Sequence, residues 1–184
     1  FWLLVSGGAL TVLPMTGNSI TFFVLWEISA FAGVIAVSRG LKGGNSAFWY
    51  AAFAVISGYL LLAALLASDN GFISSGLPVA LAVIAALLKM GQFGTHLWNV
   101  RAYPDSPGTM PAFLAGTASK SAVLLLVVAA LSAELPWGRA LAWIGALTAL
   151  GTAVKAALAD DYRKMLAFAS VSQLGYALMG IGLA

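Results

Sequence analysis

No cysteine occurs in this sequence, and histidine occurs once, at His96. Iron–sulfur ligation needs thiolates and bis-histidine haem needs a second imidazole. The chain therefore carries neither centre, no cofactor is expected, and any redox chemistry belongs to a partner. Charge is sparse as well: Asp, Glu, Lys and Arg make up 8% of the 184 residues, against 61% hydrophobic, where a soluble domain carries about a quarter. So few charges cannot clothe a water-facing surface, and lipid must be the main solvent. The net charge of +3 is spread over short loops, which makes it a topology signal and not a nucleic-acid footprint. The chain opens on Phe1 inside an apolar run and stops at Ala184 inside another. With no signal segment ahead of it, it reads as an internal piece of a longer polytopic protein.

A crossing helix needs about twenty mainly apolar residues. Gly, Pro, Asn, Asp and charge divide the chain into about seven such spans, at 1–13, 19–37, 47–67, 77–100, 111–133, 140–158 and 165–184. The expectation is an all-α integral membrane protein, with one transmembrane domain over 1–184. Its loops are short enough to make successive helices antiparallel neighbours. Alternate loops put Arg39, Lys42, Arg101, Lys155, Arg163 and Lys164 on one side and Arg139 alone on the other. That bias makes the first side cytoplasmic, with Lys155 reaching it by snorkelling. It points to a multi-pass protein of a cell inner membrane, the prokaryotic plasma membrane. Trp2, Trp26, Trp49, Trp98, Trp137 and Trp143, with Tyr103 and Tyr162, are candidates for interfacial belts.

Three ionisable residues fall near the centres of spans. Glu27 lies in FFVLWEISAF, Lys89 in LPVALAVIAALLKMGQFG and Lys120 in FLAGTASKSAVLLLVV. At a helix centre each costs roughly 2.5–3.5 kcal/mol, on the order of 8–10 kcal/mol together. The bland reading is a buried ion pair that fixes helix register, but such pairs seldom stabilise relative to apolar residues, and one lysine would be left over. Proton handling explains all three. Burial disfavours the charged form of a Lys or a Glu, while mutual proximity favours it, so a lysine that alternates between a glutamate and water can take up and release a proton.

The fourth span is polar just after Lys89. Gly91 and Gly94 follow, with Gln92, Thr95, His96 and Asn99. Glycines and polar groups at mid-membrane predict a discontinuous helix, tolerated only where it lines a cavity or is buried in protein, and transporters place binding sites at such breaks. Lys89 and His96 would share a face if the helix continued through. His96 is a plausible proton carrier from its reference pKa of about 6.5. The bland alternative is a histidine hydrogen-bonded to backbone at the break.

At these residues the sequence resembles the antiporter-like subunits shared by respiratory complex I, membrane-bound hydrogenases and multisubunit sodium–proton antiporters. The matching stretches are FFVLWEISAF, LLKMGQFGTHLW, SPGTMPAFLAGTASKSAV and DDYRKMLAFASVSQLGYALMGIG, in the same order and spacing. The resemblance implies that Glu27 is the helix glutamate paired with Lys89 of the broken helix. It makes Lys120 the central lysine of the proton path and His96 the histidine just past the break. It also implies two inverted five-helix repeats, of which this chain holds the first and the start of the second, with the second broken helix beyond Ala184. The chain departs from the family pattern in three places. Gly94 stands where proline is usual, Asn99-Val100-Arg101-Ala102 replaces a Leu-Pro-Asp/Asn-Ala run, and Lys155 stands at a usually apolar position.

The function expected is a proton-translocating or sodium–proton antiporting membrane subunit of a redox-driven or cation-exchanging complex, using a Glu–Lys–Lys relay. It would perform no bond chemistry and hold no metal. Its partners would be other membrane subunits, the lipid bilayer and protons or sodium, with no nucleic acid. The alternative is a stand-alone secondary transporter of a small solute, with a substrate-sized polar pocket at the broken helix.

Overall fold

The computed structural model describes residues 1–40, 43–68, 73–92, 94–133, 135 and 137–184. Lys42, Asp69 and Glu134, assigned to loops from the sequence, lie outside them. The described residues form helices joined by turns: α1 (Trp2–Val12), α2 (Ser19–Ser38), α3 (Gly43–Leu66), α4 (Leu77–Met90), α5 (Leu97–Asp105), α6 (Met110–Phe113), α7 (Ser121–Ser132), α8 (Gly138–Ala157) and α9 (Tyr162–Leu183). Short polar side chains start two of them. Asn18 accepts from the amides of Ile20 (2.8 Å) and Thr21 (3.2 Å), and Asp161 accepts from the amide of Arg163 (2.9 Å). Each satisfies amides that a helix N-terminus leaves without partners.

Among the described residues, five stretches are long and apolar enough to cross a membrane: α2, α3, Met110–Ser132, α8 and α9. Trp2–Met15 and α4 are shorter apolar helices. The surface inverts the soluble pattern, with Leu4, Phe31, Phe48, Leu66, Trp143 and Leu158 exposed and Ser6, Ser57, Asn99 and Ser119 buried. Buried hydroxyls then tie helices together by donating to carbonyls across the interface: Ser6 to Ser29 (3.0 Å), Ser57 to Ala85 (2.8 Å) and Ser172 to Ala149 (2.8 Å). Lipid supplies no hydrophobic drive between helices, so such bonds and close backbone approach do that work.

α8 and α9 approach each other backbone to backbone. A Cβ on Gly175 would lie 2.7 Å from the amide nitrogen of Ala149, and one on Gly145 would lie 2.6 Å from the Gly175 carbonyl oxygen. Backbone cannot yield there as a side-chain tip can. Gly175→Val is accordingly expected to separate the two helices and cost about 1–3 kcal/mol, the usual range for overpacking. The measurement is thermal unfolding of the detergent-solubilised protein, and an unchanged midpoint would contradict this packing.

Three turns meet at one end of the bundle. The Ser46 hydroxyl at the start of α3 donates to the Asp105 carboxylate at the end of α5. Arg163 at the start of α9 donates to the carbonyls of Pro104 (3.2 Å) and Ser106 (2.9 Å). That end gathers Arg39, Asp105 and Arg163 around one polar recess. Arg139 lies at the opposite end, where Gly138 of α8 meets Gly182 of α9. The core falls into two apolar clusters. One contains Phe22, Trp26, Leu61, Val83, Leu125 and Leu174, and the other contains Tyr50, Trp98, Tyr103, Met110 and Leu114. The broken helix supplies Met90 to the first and Trp98 to the second, so the break lies at the seam between them.

Candidate functional site

Glycine makes the break. α4 ends at Met90, and Gly91 (φ 67°) and Gly94 (φ 87°) both take positive φ, a region that costs a residue with a Cβ but not glycine. Proline fixes φ near −65° and could not adopt the geometry of Gly94. This chain therefore breaks its helix by a different backbone route from the proline that the resemblance led one to expect. The seven-residue spacing of Lys89 and His96 no longer sets a shared face, because the helix does not continue between them.

A helix that stops inside a membrane leaves its last carbonyls unpaired, and here they are recovered locally. The Gly91 amide donates to Leu87 (3.1 Å) and Leu88 (3.2 Å). Thr95 Oγ1 donates to Leu87 (3.3 Å), Trp98 Nε1 to Leu88 (3.1 Å) and Asn99 Nδ2 to Met90 (3.3 Å). Asn99, at a position where the family pattern has an apolar residue, supplies a donor that such a residue would lack.

Lys89 occupies the last turn of α4, where the negative end of the helix dipole favours a cation. The residue is 6% exposed, and its ammonium lies 3.6 Å from the centroid of the Trp26 ring. A desolvated contact of this kind is worth about 2 kcal/mol. Trp26 is fully buried and stacks beside Phe22, with ring centroids 6.0 Å apart. Glu27, the next residue on α2, is the carboxylate that interacts electrostatically with Lys89. Its Oε1 faces Gly58 of α3, where a Cβ would collide with it. Three helices thus converge: α2 brings the carboxylate and the ring, α3 leaves room, and α4 brings the ammonium.

Among the described residues, the buried side-chain atoms with no hydrogen-bond partner are Trp26 Nε1, Glu27 Oε1, Lys89 Nζ, both amide atoms of Gln92, His96 Nδ1 and Asn99 Oδ1. They belong to the Trp26–Glu27–Lys89 cluster or to the helix break. Orphaned buried polar atoms cost about 1–3 kcal/mol each, so their clustering in one place calls for a reason. Beside Lys89, a cavity of about 10 Å³ is lined by Tyr50, Phe53, Ala54, Trp98 and Ala118, room for about one water. It is far too small for a solute.

The sequence-predicted residues divide three ways. Glu27 and Lys89 come together around Trp26. His96 stands at the start of α5, half-buried, and interacts electrostatically with Lys155 of α8. Lys120 stands apart: it is exposed, and its ammonium donates to the Ala115 carbonyl. That carbonyl belongs to a π-helical turn at Leu114–Ala118, so the span drawn from sequence as one helix over 111–133 is interrupted just before its lysine. Single π turns inside helices are frequent at functional sites. Sequence reasoning missed Tyr50 and put Trp98 and Tyr103 among interfacial belt candidates. All three are at most 4% exposed. Trp137, Trp143 and Tyr162 are exposed, as belt residues would be.

Fold and site together define an all-helical, multi-pass membrane protein with a buried lysine, seated on the Trp26 ring, at a broken helix. The chain belongs to the NADH:quinone oxidoreductase/Mrp antiporter transmembrane family, whose profile matches residues 16–184. The resemblance read from the four motifs is thereby borne out. One of the Na(+)/H(+) antiporter subunits of Alkalihalophilus pseudofirmus is 28% identical over 99% of this chain and 26% of its own length. NADH-quinone oxidoreductase subunit N of Desulforudis audaxviator is 28% identical over 98% of this chain and 41% of its own. Among solved structures, a chain of the membrane-bound sulfane sulfur reductase, an archaeal respiratory membrane complex, superposes with a TM-score of 0.86 at 27% identity. That match covers 98% of this chain and 35% of the other. The chain therefore spans well under half the length of these relatives.

Proposed function

We propose that the chain belongs to a proton-translocating subunit of a multisubunit membrane complex, with Glu27, Lys89, His96 and Lys120 in its proton path. The carrying observation is that, among the described residues, the unpartnered buried polar atoms fall in the Trp26–Glu27–Lys89 cluster and the break. Groups left open in this way suit a site that water and protons visit. Lys89 holds its proton against Glu27, the Trp26 face and the end of α4. Protonation of Glu27 removes that counter-charge and frees the lysine's proton for the water-sized cavity. His96 handles protons just beyond the break, and Lys120 carries the charge onward. An ammonium at that depth does not face lipid, so further protein covers Lys120 in the assembled molecule.

Seven crossings, one of them discontinuous, complete this reading: the first five-helix repeat and the beginning of the second. The end carrying Arg39, Arg101, Lys155, Arg163 and Lys164 faces the cytoplasm, across a prokaryotic plasma membrane. The relatives are named as subunits of an antiporter and of an oxidoreductase, so the driving force is either cation exchange or a partner's redox chemistry. The small-solute reading has no support: the cavity beside Lys89 holds about one water, and the larger hollow of about 340 Å³ at Gln92 and Thr95 is otherwise lined by Ile84, Leu87, Leu88, Ile144 and Leu147, without the convergent polar groups a solute site needs. The test is pH-gradient formation in sealed inverted vesicles containing the intact complex, driven by electron donor or by a sodium gradient. Acidification under either drive is expected, and its absence under both would overturn the proposal.

A further inference from the structure

The polar recess at the end of the bundle opposite Arg139 has a volume of about 480 Å³. Three separate turns line it: Arg39 and Gly40 after α2, Pro104, Asp105 and Ser106 at the end of α5, and Arg163 at the start of α9. Gly40 lies against the Asp105 carbonyl so closely that a Cβ would collide with it, which closes two of the turns on each other. Arg163 Nη1 donates to the carbonyls of Pro104 (3.2 Å) and Ser106 (2.9 Å), and its Nε donates to the Tyr162 hydroxyl (3.0 Å). These bonds hold the guanidinium plane and occupy three of its five N–H groups. Among the described residues, the two on Nη2 have no acceptor. Arg39 is exposed and donates no hydrogen bond to a described residue. Asp105, the carboxylate in the lining, accepts instead from the Ser46 hydroxyl.

Membrane topology needs positive charge at this end, but it does not need two guanidiniums lining one hollow. A guanidinium fork matches the oxygens of a phosphate, and charge selects the kind of phosphate. Two arginines and one aspartate leave the recess with a single excess positive charge. A phosphodiester, with one negative charge, balances it. A free phosphate carries nearly two near neutral pH, because its second pKa is about 6. Size agrees, since the recess falls within the roughly 300–1,000 Å³ of small-molecule sites and exceeds what a bare ion fills. The Asp105 carboxylate has acceptor positions left beyond the one that Ser46 uses, and hydroxyls on a headgroup would suit them. Tyr162, bonded to Arg163, is 68% exposed, and Met165 is 47% exposed. Apolar surface for lipid tails therefore begins beside the second guanidinium.

We infer that this recess binds the headgroup of an anionic glycerophospholipid that carries one phosphodiester and free hydroxyls, the chemistry of phosphatidylglycerol. Arg39 and Arg163 Nη2 donate to the phosphate oxygens, Asp105 accepts from a headgroup hydroxyl, and the tails run past Tyr162 and Met165. Basic recesses between membrane helices on the cytoplasmic side hold anionic headgroups in this way. The bound lipid links the ends of α2, α5 and α9 and stabilises the folded chain, because it binds that state alone.

The test follows the thermal midpoint of the intact complex, delipidated in a neutral detergent. It is titrated with short-chain phosphatidylglycerol, with the matching phosphatidylcholine or with inorganic phosphate. Phosphatidylglycerol is expected to raise the midpoint, and the other two to leave it unchanged. Arg39→Gln and Arg163→Gln should each shift the phosphatidylglycerol titration to about tenfold higher concentration, the scale of one hydrogen bond to a charged group. Arg163→Gln also loses its bonds to two carbonyls, so Arg39→Gln, which breaks no hydrogen bond to a described residue, isolates the headgroup contact. Arg139→Gln, at the opposite end, should titrate as the wild type does. An unshifted titration in Arg39→Gln, or an equal shift in Arg139→Gln, would overturn the site. An equal rise with phosphatidylcholine or with inorganic phosphate would overturn it too, the latter by assigning the recess to the free ion. A wild-type complex that responds to none of the three would also overturn it, the result expected if a carboxylate of neighbouring protein fills the recess.

Discussion

Lys89→Ala in the intact complex is expected to cut coupled proton movement about a hundredfold or more, the scale of a lost proton-transfer group. The same change should also weaken the folded chain. The ammonium occupies a site prepared by the Trp26 ring at 3.6 Å and the last turn of α4, and removing it takes the neighbouring positive charge from the half-buried Glu27, whose Oε1 has no hydrogen-bond partner to begin with. Truncating one member of a buried charge pair costs up to about 3–5 kcal/mol. Transport assays on this variant therefore need the amount of assembled protein measured beside them. Transport at the wild-type rate per assembled complex would contradict the assignment of Lys89.

Lys120→Ala should be as damaging to transport, yet for a different balance of reasons. A lysine near a helix centre costs roughly 2.5–3.5 kcal/mol to insert, so alanine makes the span easier to insert. Its ammonium has one hydrogen bond in this structure, to the Ala115 carbonyl, and little local packing depends on it. The expected outcome is a chain that inserts and assembles at wild-type levels or better while coupled proton movement falls to background. Quantitative blotting of the assembled complex against vesicle acidification reads both. Undiminished acidification would remove Lys120 from the path.

The contrast between these lysines shows what a membrane sequence reveals. Charge in an apolar run is conspicuous because lipid penalises it, so Glu27, Lys89 and Lys120 stand out with no structure at hand. The break was equally legible, since Gly91, Gly94 and their polar neighbours violate the pattern of a spanning helix. Facing was not legible. A soluble helix advertises its buried side by an apolar stripe, but α2, α3 and α7 are apolar all round, and nothing in their spacing says which residues look inward. Hence Trp26 passed for a belt candidate, when its ring seats the ammonium. Tyr103 passed for an interfacial residue although it is fully buried, and Tyr50 had no signal at all. The π turn before Lys120 was hidden for a related reason: LAGTA reads as ordinary helix, and only tertiary packing distinguishes the two.

Whether Glu27 and Lys89 work on protons or merely hold helices together is the question on which this account turns. The double variant Glu27→Gln with Lys89→Met answers it most directly, because it removes both charges and strands neither. Neutral side chains of similar length in place of a buried pair are often tolerated or even stabilising, so assembly should return to near the wild-type level. The decisive measurement is acidification of sealed inverted vesicles per assembled complex. Background acidification from a well-assembled double variant is expected if the pair moves protons; acidification that recovers together with assembly would show instead that the pair is structural.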